Sequence, residues 1–332
     1  MAWLLLALLL CAGILYQSIS TKLDEQKYPP PGTLVDVGGY RLHLHSIGTG
    51  GPTIVLDSGL SGISSDWWLV APEIAKFSRV VTYDRAGTGW SDASPQSRTG
   101  AHIVQELHRL LHVAKIPGPY VVVGHSNGGA YAQLFAATFP EEVIGVVLVD
   151  AWHETPEKRV PQRPIKTPIT LLHKPIFMRL ATILGITRFF LVDMYMKAMM
   201  PYLPQSMWDA RRALAATTKN CCTVSEEASA FSLSLKQLAE VDRSTFANKP
   251  CIIITAGAPD LSVSSASGVQ KVYLREFHAV WNDLQKELVG KFPVGRQMIA
   301  EKSDHMIPWR QPDIIVQAVR ELVSVNRADR LK

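Results

Sequence analysis

The sequence predicts an α/β fold: a doubly wound, mostly parallel eight-stranded sheet with helices on both faces and an inserted helical cap. Three observations predict it. Short β-branched runs that are apolar on both faces recur at 53–56, 80–83, 121–123, 143–149 and 252–254, as buried parallel strands do. Segments of helical periodicity lie between them, the alternation that gives right-handed crossovers. A G-x-S-x-G pentapeptide, Gly124-His125-Ser126-Asn127-Gly128, sits where one of these strands meets a helix-like stretch.

The chain of 332 residues begins with an apolar segment. Ala2 to Ser20 carries no charge, and Trp3 to Tyr16 is almost wholly apolar. Its length lies between a signal-peptide core and a short membrane span. Ser18-Ile19-Ser20 offers a small-x-small cleavage site, but no Lys or Arg precedes the apolar run. Leu10 before Cys11 is too large for lipoprotein processing. Residues 1–20 are therefore expected to be an uncleaved anchor, with a cleaved signal as the alternative. Either directs the chain to or across a membrane. Residues 21–33, with Pro29-Pro30-Pro31-Gly32, read as a linker.

The first part of the core is expected over 34–150. Leu34–Val37, a Gly38-Gly39 turn and Tyr40–His45 suggest an antiparallel hairpin. Thr53–Leu56 and Val80–Tyr83 are the next strands. Ile103 to Ala114 is a helix by the spacing of Val104, Leu107, Leu110 and Leu111. Tyr120–Val123 is a strand, 129–137 a helix, and 143–149 a strand. Alternation then stops, and 151–248 reads as the cap, rich in Leu, Ile, Met and Phe with helical segments through Ala239. The core resumes over 249–325 with strands at 251–255 and 296–300 and a last helix from about residue 311.

Composition is ordinary for a globular protein, with 47% hydrophobic and 19% charged residues. The net charge of +5 resides in the cap, which holds 13 Lys/Arg against 8 Asp/Glu; the remainder is neutral. That segment reads as a solvated face on a helical insertion, or as a surface that approaches anionic lipid or an acyl substrate. No basic run with interleaved aromatics suggests nucleic acid. Cys11, Cys221, Cys222 and Cys251 do not form a disulfide framework, since adjacent cysteines bridge poorly. No Cys/His spacing suggests a metal site, and the sequence carries no signal for oligomeric state.

A serine hydroxyl needs a base, and the base works best when a third group orients it. In doubly wound sheets the chemistry gathers at the carboxyl ends of the strands. Ser126 lies at one such end, and His305 follows the last strand and a polar loop, so His305 is the expected base. His43 and His45 on an early strand, and His102, His108 and His112 along a helix, read as exposed or structural. Two aspartates compete for the acid: Asp260 after the 251–255 strand, which is favoured, and Asp150 at the end of 143–149. Oxyanion donors are expected from the backbone N–H of Asn127 and of Leu60, in the loop Asp57-Ser58-Gly59-Leu60-Ser61-Gly62.

Ser126, the order Ser…Asp…His, the helical insertion and the stretch Asp84-Arg85-Ala86-Gly87-Thr88-Gly89-Trp90-Ser91 together resemble the α/β-hydrolase superfamily, over roughly residues 34–325. The resemblance implies Ser126 as nucleophile, His305 as base, Asp260 as acid, and Leu60 and Asn127 as the oxyanion hole, with no metal or organic cofactor. Two departures stand out. Ser58-Gly59 replaces the His-Gly most members carry, so the oxyanion loop must be fixed by other contacts. The loop after Asp260 is long and polar up to Val272, which keeps Asp150 open as the acid.

A serine hydrolase acting on a carboxylic ester or related acyl bond of a small apolar substrate is the leading expectation. Serine in place of aspartate argues against dehalogenase and epoxide-hydrolase chemistry. Aminopeptidase, C–C hydrolase and acyltransferase reactions on the same residues are alternatives, as is a non-catalytic ligand-binding member.

Overall fold

The computed structural model describes residues 1–155, 159–161, 175–193, 203–258 and 268–329. Helix α1 (Ala2–Lys27) precedes an eight-stranded sheet ordered β1-β2-β4-β3-β5-β6-β7-β8. Its strands are β1 (Thr33–Asp36), β2 (Arg41–Ile47), β3 (Thr53–Asp57), β4 (Val80–Tyr83), β5 (Tyr120–His125), β6 (Val143–Val149), β7 (Cys251–Ala256) and β8 (Gly295–Ala300). The β1–β2 and β2–β4 pairings are antiparallel and all others parallel. Fold class and strand count agree with the sequence.

The apolar-on-both-faces runs explain the layers. Alternate residues point to opposite sides of a strand, so one face presents Val55, Val81, Val122, Val146 and Ile253. The other presents Ile54, Val80, Val121, Val147 and Ile252. The first face is covered by α3 (Gly100–Val113), α4 (Asn127–Thr138) and α8 (Gly268–Gly290), through Leu107, Leu110, Phe135 and Leu288. The second is covered by α2 (Ala71–Ala75) and α10 (Pro312–Asp329), through Ile74, Ile315, Val319 and Leu322. Each such side chain contributes about 1.5–3 kcal/mol when fully buried.

Between β6 and β7 the chain leaves the sheet. Helices α5 (Pro175–Ile183), α6 (Gln205–Ala215) and α7 (Thr218–Ala239) lie in this excursion. Helix α7 starts with the Thr217 hydroxyl accepting from the Asn220 N–H at 3.2 Å. It docks on the core where Ser234 Oγ accepts from the Gly100 N–H at 2.8 Å.

Two segments differ from the sequence reading. Helix α1 runs to Lys27, into the stretch expected as linker, and Arg188 of the cap engages Thr21 and Asp24 in its last turns. The polar loop expected up to Val272 gives way at Gly268 to α8, whose buried residues Trp281, Leu284, Gln285 and Leu288 come only in its second half.

Candidate active site

Ser126 sits in a tight turn that the flanking glycines permit. Ser126 has φ 56° and ψ −120° between β5 and α4, outside the regions an L-residue ordinarily occupies. The surrounding chain holds it there. The Ser126 N–H donates to the Val149 carbonyl at 3.0 Å, and its own carbonyl accepts from Gly129 N–H at 3.0 Å. Glycine is required on either side: a Cβ on Gly124 would strike the Gly128 carbonyl, and one on Gly128 would strike the carbonyls of Asp57 and Ser58. Because Asn127 opens α4, its N–H belongs to the first turn, where no intrahelical acceptor exists.

His305 lies in the loop between β8 and the short helix α9 (Ile307–Arg310). Its Nδ1 stands 2.6 Å from Asp150 Oδ2. Asp150 directly follows β6 with φ 42° and is buried. Its other oxygen accepts from Trp281 Nε1 at 3.0 Å and from the Ala256 N–H at 3.2 Å. Burial opposes the charged form, but hydrogen bonds from His305, Trp281 and Ala256 outweigh it and hold the carboxyl below the usual aspartate range. Asp260, the favoured acid of the sequence reading, lies outside the described residues.

The imidazole is fixed from behind as well. His125 Nε2 donates to the His305 backbone carbonyl at 2.8 Å, and the two rings are 4.7 Å apart. Asp304 accepts from the Met306 N–H at 3.1 Å and from Arg310 Nη1 at 2.7 Å, closing the loop. Burial and the neighbouring His305 push His125 down to about 3, so it is a neutral donor. The His305 side chain itself remains 40% exposed.

Ser126, Asp150 and His305 line one cavity of about 600 Å³ together with Trp152, Phe277 and Trp281. A cavity of this size is of the order that holds a small molecule.

The loop expected to supply an oxyanion donor is held by Arg85. Arg85 Nη1 donates to the Ser58 carbonyl and to Asp57 Oδ1, both at 2.6 Å, and Nη2 donates to the Gly59 carbonyl at 2.6 Å. Ser58 Oγ turns inward to the Ile63 carbonyl at 3.0 Å. Gly59 is thereby pressed against Ser126, since a Cβ there would sit 3.2 Å from Ser126 Cβ. Leu60 follows in the same turn. The guanidinium is also tied to the cap, where its Nε donates to Glu227 Oε2 of α7 at 3.1 Å. Tyr131 donates its hydroxyl to the same carboxylate at 3.2 Å. Although burial alone would lower it, the Glu227 and Asp57 carboxylates drive the Arg85 pKa well up.

Other members of that glycine-rich stretch are structural. Asp84 pairs with buried His43 at 3.0 Å and accepts from the Ser64 N–H at 2.6 Å. His108 and His112 share the Glu142 carboxylate at 2.7 and 3.1 Å, beside the starts of β5 and β6 and away from Ser126. The sequence reading missed Trp281, Gln285 and Glu227. Gln285 donates to the Ala151 carbonyl at 2.7 Å, and none of the three belongs to a motif.

A sheet of this order, with a strained serine after β5 and a histidine after β8, has the α/β-hydrolase fold. The family model described as alpha/beta hydrolase fold matches residues 52–167. A probable transporter from Hormonema carpetanum is 24% identical over 319 residues, covering 90% of this chain and 43% of the relative. A putative carbamate hydrolase from Cronobacter sakazakii is 36% identical over 104 residues, covering 31% of this chain and 38% of the relative. The chain spans less than half the length of these curated relatives. Among solved structures, a putative lipase from Acinetobacter baumannii superposes with a TM-score of 0.62 at 19% identity, covering 94% of this chain and 97% of that one. At that identity it speaks for the fold alone.

Proposed function

We propose that the chain is a serine hydrolase that cleaves a carboxylic ester or related acyl bond through an acyl-enzyme on Ser126. The Asp150–His305 pair, on the same cavity as a serine held in strained backbone, carries this reading. Asp150 takes the place the sequence reading favoured for Asp260. In this scheme His305 Nε2 removes the Ser126 hydroxyl proton as Oγ attacks the carbonyl carbon. Asp150 fixes Nδ1–H as the donor and stabilises the imidazolium. The oxyanion rests on the N–H groups of Asn127 and Leu60. His305 then returns its proton to the departing alkoxide, and water, deprotonated by the same imidazole, releases the acid. Trp152, Phe277 and Trp281 on the cavity suit the apolar part of an ester, and the putative carbamate hydrolase relative supports acyl chemistry.

Helix α1 is long and apolar enough to cross a membrane, the one such helix among the described residues. We read it as a retained anchor. Its side chains Gln17, Thr21 and Asp24 are engaged by the cap, an investment a discarded signal would not make. Sequencing the amino terminus of the mature protein tests this, and cleavage after Ser20 would refute it.

Fluorophosphonate labelling tests the chemistry. The wild type should label at one site, with Ser126→Ala losing both label and turnover of p-nitrophenyl esters. Turnover unchanged in Ser126→Ala would sink the proposal.

A further inference from the structure

We propose that the cap lies in the surface of the bilayer beside α1, so that substrate enters the site from the membrane. The inference rests on α1 being the retained anchor, and for its kinetic arm on the Ser126 reading.

The contact between α1 and the cap is built, not incidental. A Cβ on Gly13 would strike the Leu184 carbonyl, so the two backbones touch at this point. The Tyr16 ring meets Phe189 edge-on at 6.0 Å. One turn further, Gln17 is buried and donates to the Ala216 carbonyl at 2.9 Å. Arg188, with its side chain only 4% exposed, donates to Gln17 at 3.1 Å and to Asp24 at 2.5 Å. A buried guanidinium with a carboxylate partner fixes orientation as well as contact.

Depth follows from this register. A helix rises about 1.5 Å per residue, which places Tyr16 about 20 Å along the axis from Trp3. The hydrocarbon core is about 30 Å thick, close to the roughly 27 Å that the uncharged stretch Ala2–Ser20 spans, so a bilayer that covers this stretch reaches past the level of Phe189. The cap surface there is apolar. Ile176, Phe177, Leu180, Ile186, Phe189 and Phe190 are each between 43% and 66% exposed. Isolated exposed apolar residues are ordinary, but six within residues 176–190, continuous with an apolar helix, mark an interaction site. The net positive charge of the cap region suits an anionic headgroup layer. Within the polar lock formed by Gln17, Thr21, Asp24 and Arg188, the Asp24 carboxylate lies beyond Ser20, where the headgroups begin, while Gln17 is shielded by burial against the cap.

A consequence for chemistry is that an acyl substrate dissolved in the leaflet need not cross water to reach the cap. A soluble short-chain ester gains nothing from this route.

The test uses the full chain in phosphatidylcholine vesicles containing a fifth phosphatidylglycerol. Spin labels are placed at Ile176→Cys and Phe190→Cys after replacing Cys11, Cys221 and Cys222 by Ala. Lys286→Cys on the exposed face of α8 is the control. Labels at 176 and 190 should collide more often with oxygen than with a water-soluble nickel chelate, and the label at 286 should show the reverse. Preference for nickel at 176 and 190 would overturn the proposal by placing them in water. Shielding from both reagents would overturn it in favour of a protein contact, such as a second copy. This readout needs no catalysis. The kinetic arm is the variant Phe189→Ser/Phe190→Ser, which should lose about tenfold in turnover of a long-chain ester carried in the vesicles. It should keep its rate on a soluble butyrate ester. Equal loss on both substrates would speak against membrane entry, whereas a wild type inert towards both would refute the hydrolase reading and leave the labelling result to decide the surface.

Discussion

Asp150 Oδ2 and His305 Nδ1 are 2.6 Å apart, and the carboxylate's second oxygen is held by Trp281 and Ala256. Rotating the carboxylate away breaks all three contacts. Asp150→Asn therefore keeps the fold but presents an amide to the imidazole, favouring the wrong tautomer. A loss of about 10⁴-fold in kcat is expected, with Asp260→Asn staying within tenfold of wild type. The opposite ranking would make Asp260 the acid.

Ser126 and His305 should act as a unit. Each alanine variant alone, and the double variant, should fall to the same residual rate in steady-state assays with a soluble ester. Losses that multiply would mean the two side chains work independently and would remove His305 from the mechanism.

How far the site was legible in the sequence follows from how local each part is. Ser126 and the parallel strands announce themselves within a few residues, because a tight turn demands glycines and a buried strand demands a β-branched run. His305 was placed by the rule that chemistry gathers at strand ends. The acid was not settled by that rule, since Asp150 and Asp260 both follow strands. What ties Asp150 to His305 is an indole from α8, a helix whose apolar stripe is confined to its second half. Ser58 in place of histidine was legible as a departure, whereas its remedy was not. Arg85 lies in a recognisable stretch, but Glu227 sits more than a hundred residues away on a cap helix, among serines and alanines that carry no pattern.

That remedy is itself testable. Glu227 anchors the guanidinium that fixes the Ser58 and Gly59 carbonyls, so Glu227→Ala leaves Arg85 with one carboxylate in a dry site. Breaking a buried pair of this kind costs about 3–5 kcal/mol, and urea unfolding should report a loss of that order. Because the oxyanion loop loosens, kcat should fall by about tenfold or more, with KM changing less. Glu227→Gln, which preserves shape and one hydrogen bond, should recover part of both. A variant with wild-type stability would show that Asp57 alone suffices.

His125 makes the stability depend on pH with a definite sign. In the unfolded chain its imidazole takes up a proton near the ordinary value of 6.5, whereas burial and His305 push it to about 3 in the folded protein. Between those values the unfolded state binds more protons, so stability declines as pH falls from about 6.5 towards 3. Asp57 acts in the opposite direction: burial, only partly offset by Arg85, pushes it up to about 6 from 3.8, and acidification across that window favours the folded state. The two windows overlap, so the wild-type profile alone cannot separate them. The difference in unfolding free energy between wild type and His125→Gln does, because Asp57 is common to both. That difference should shrink by a few kcal/mol between pH 7 and pH 4, measured by urea titration at each pH. A constant difference would mean that His125 is protonated in the folded state, which its hydrogen bond to the His305 carbonyl would permit only with both ring nitrogens as donors.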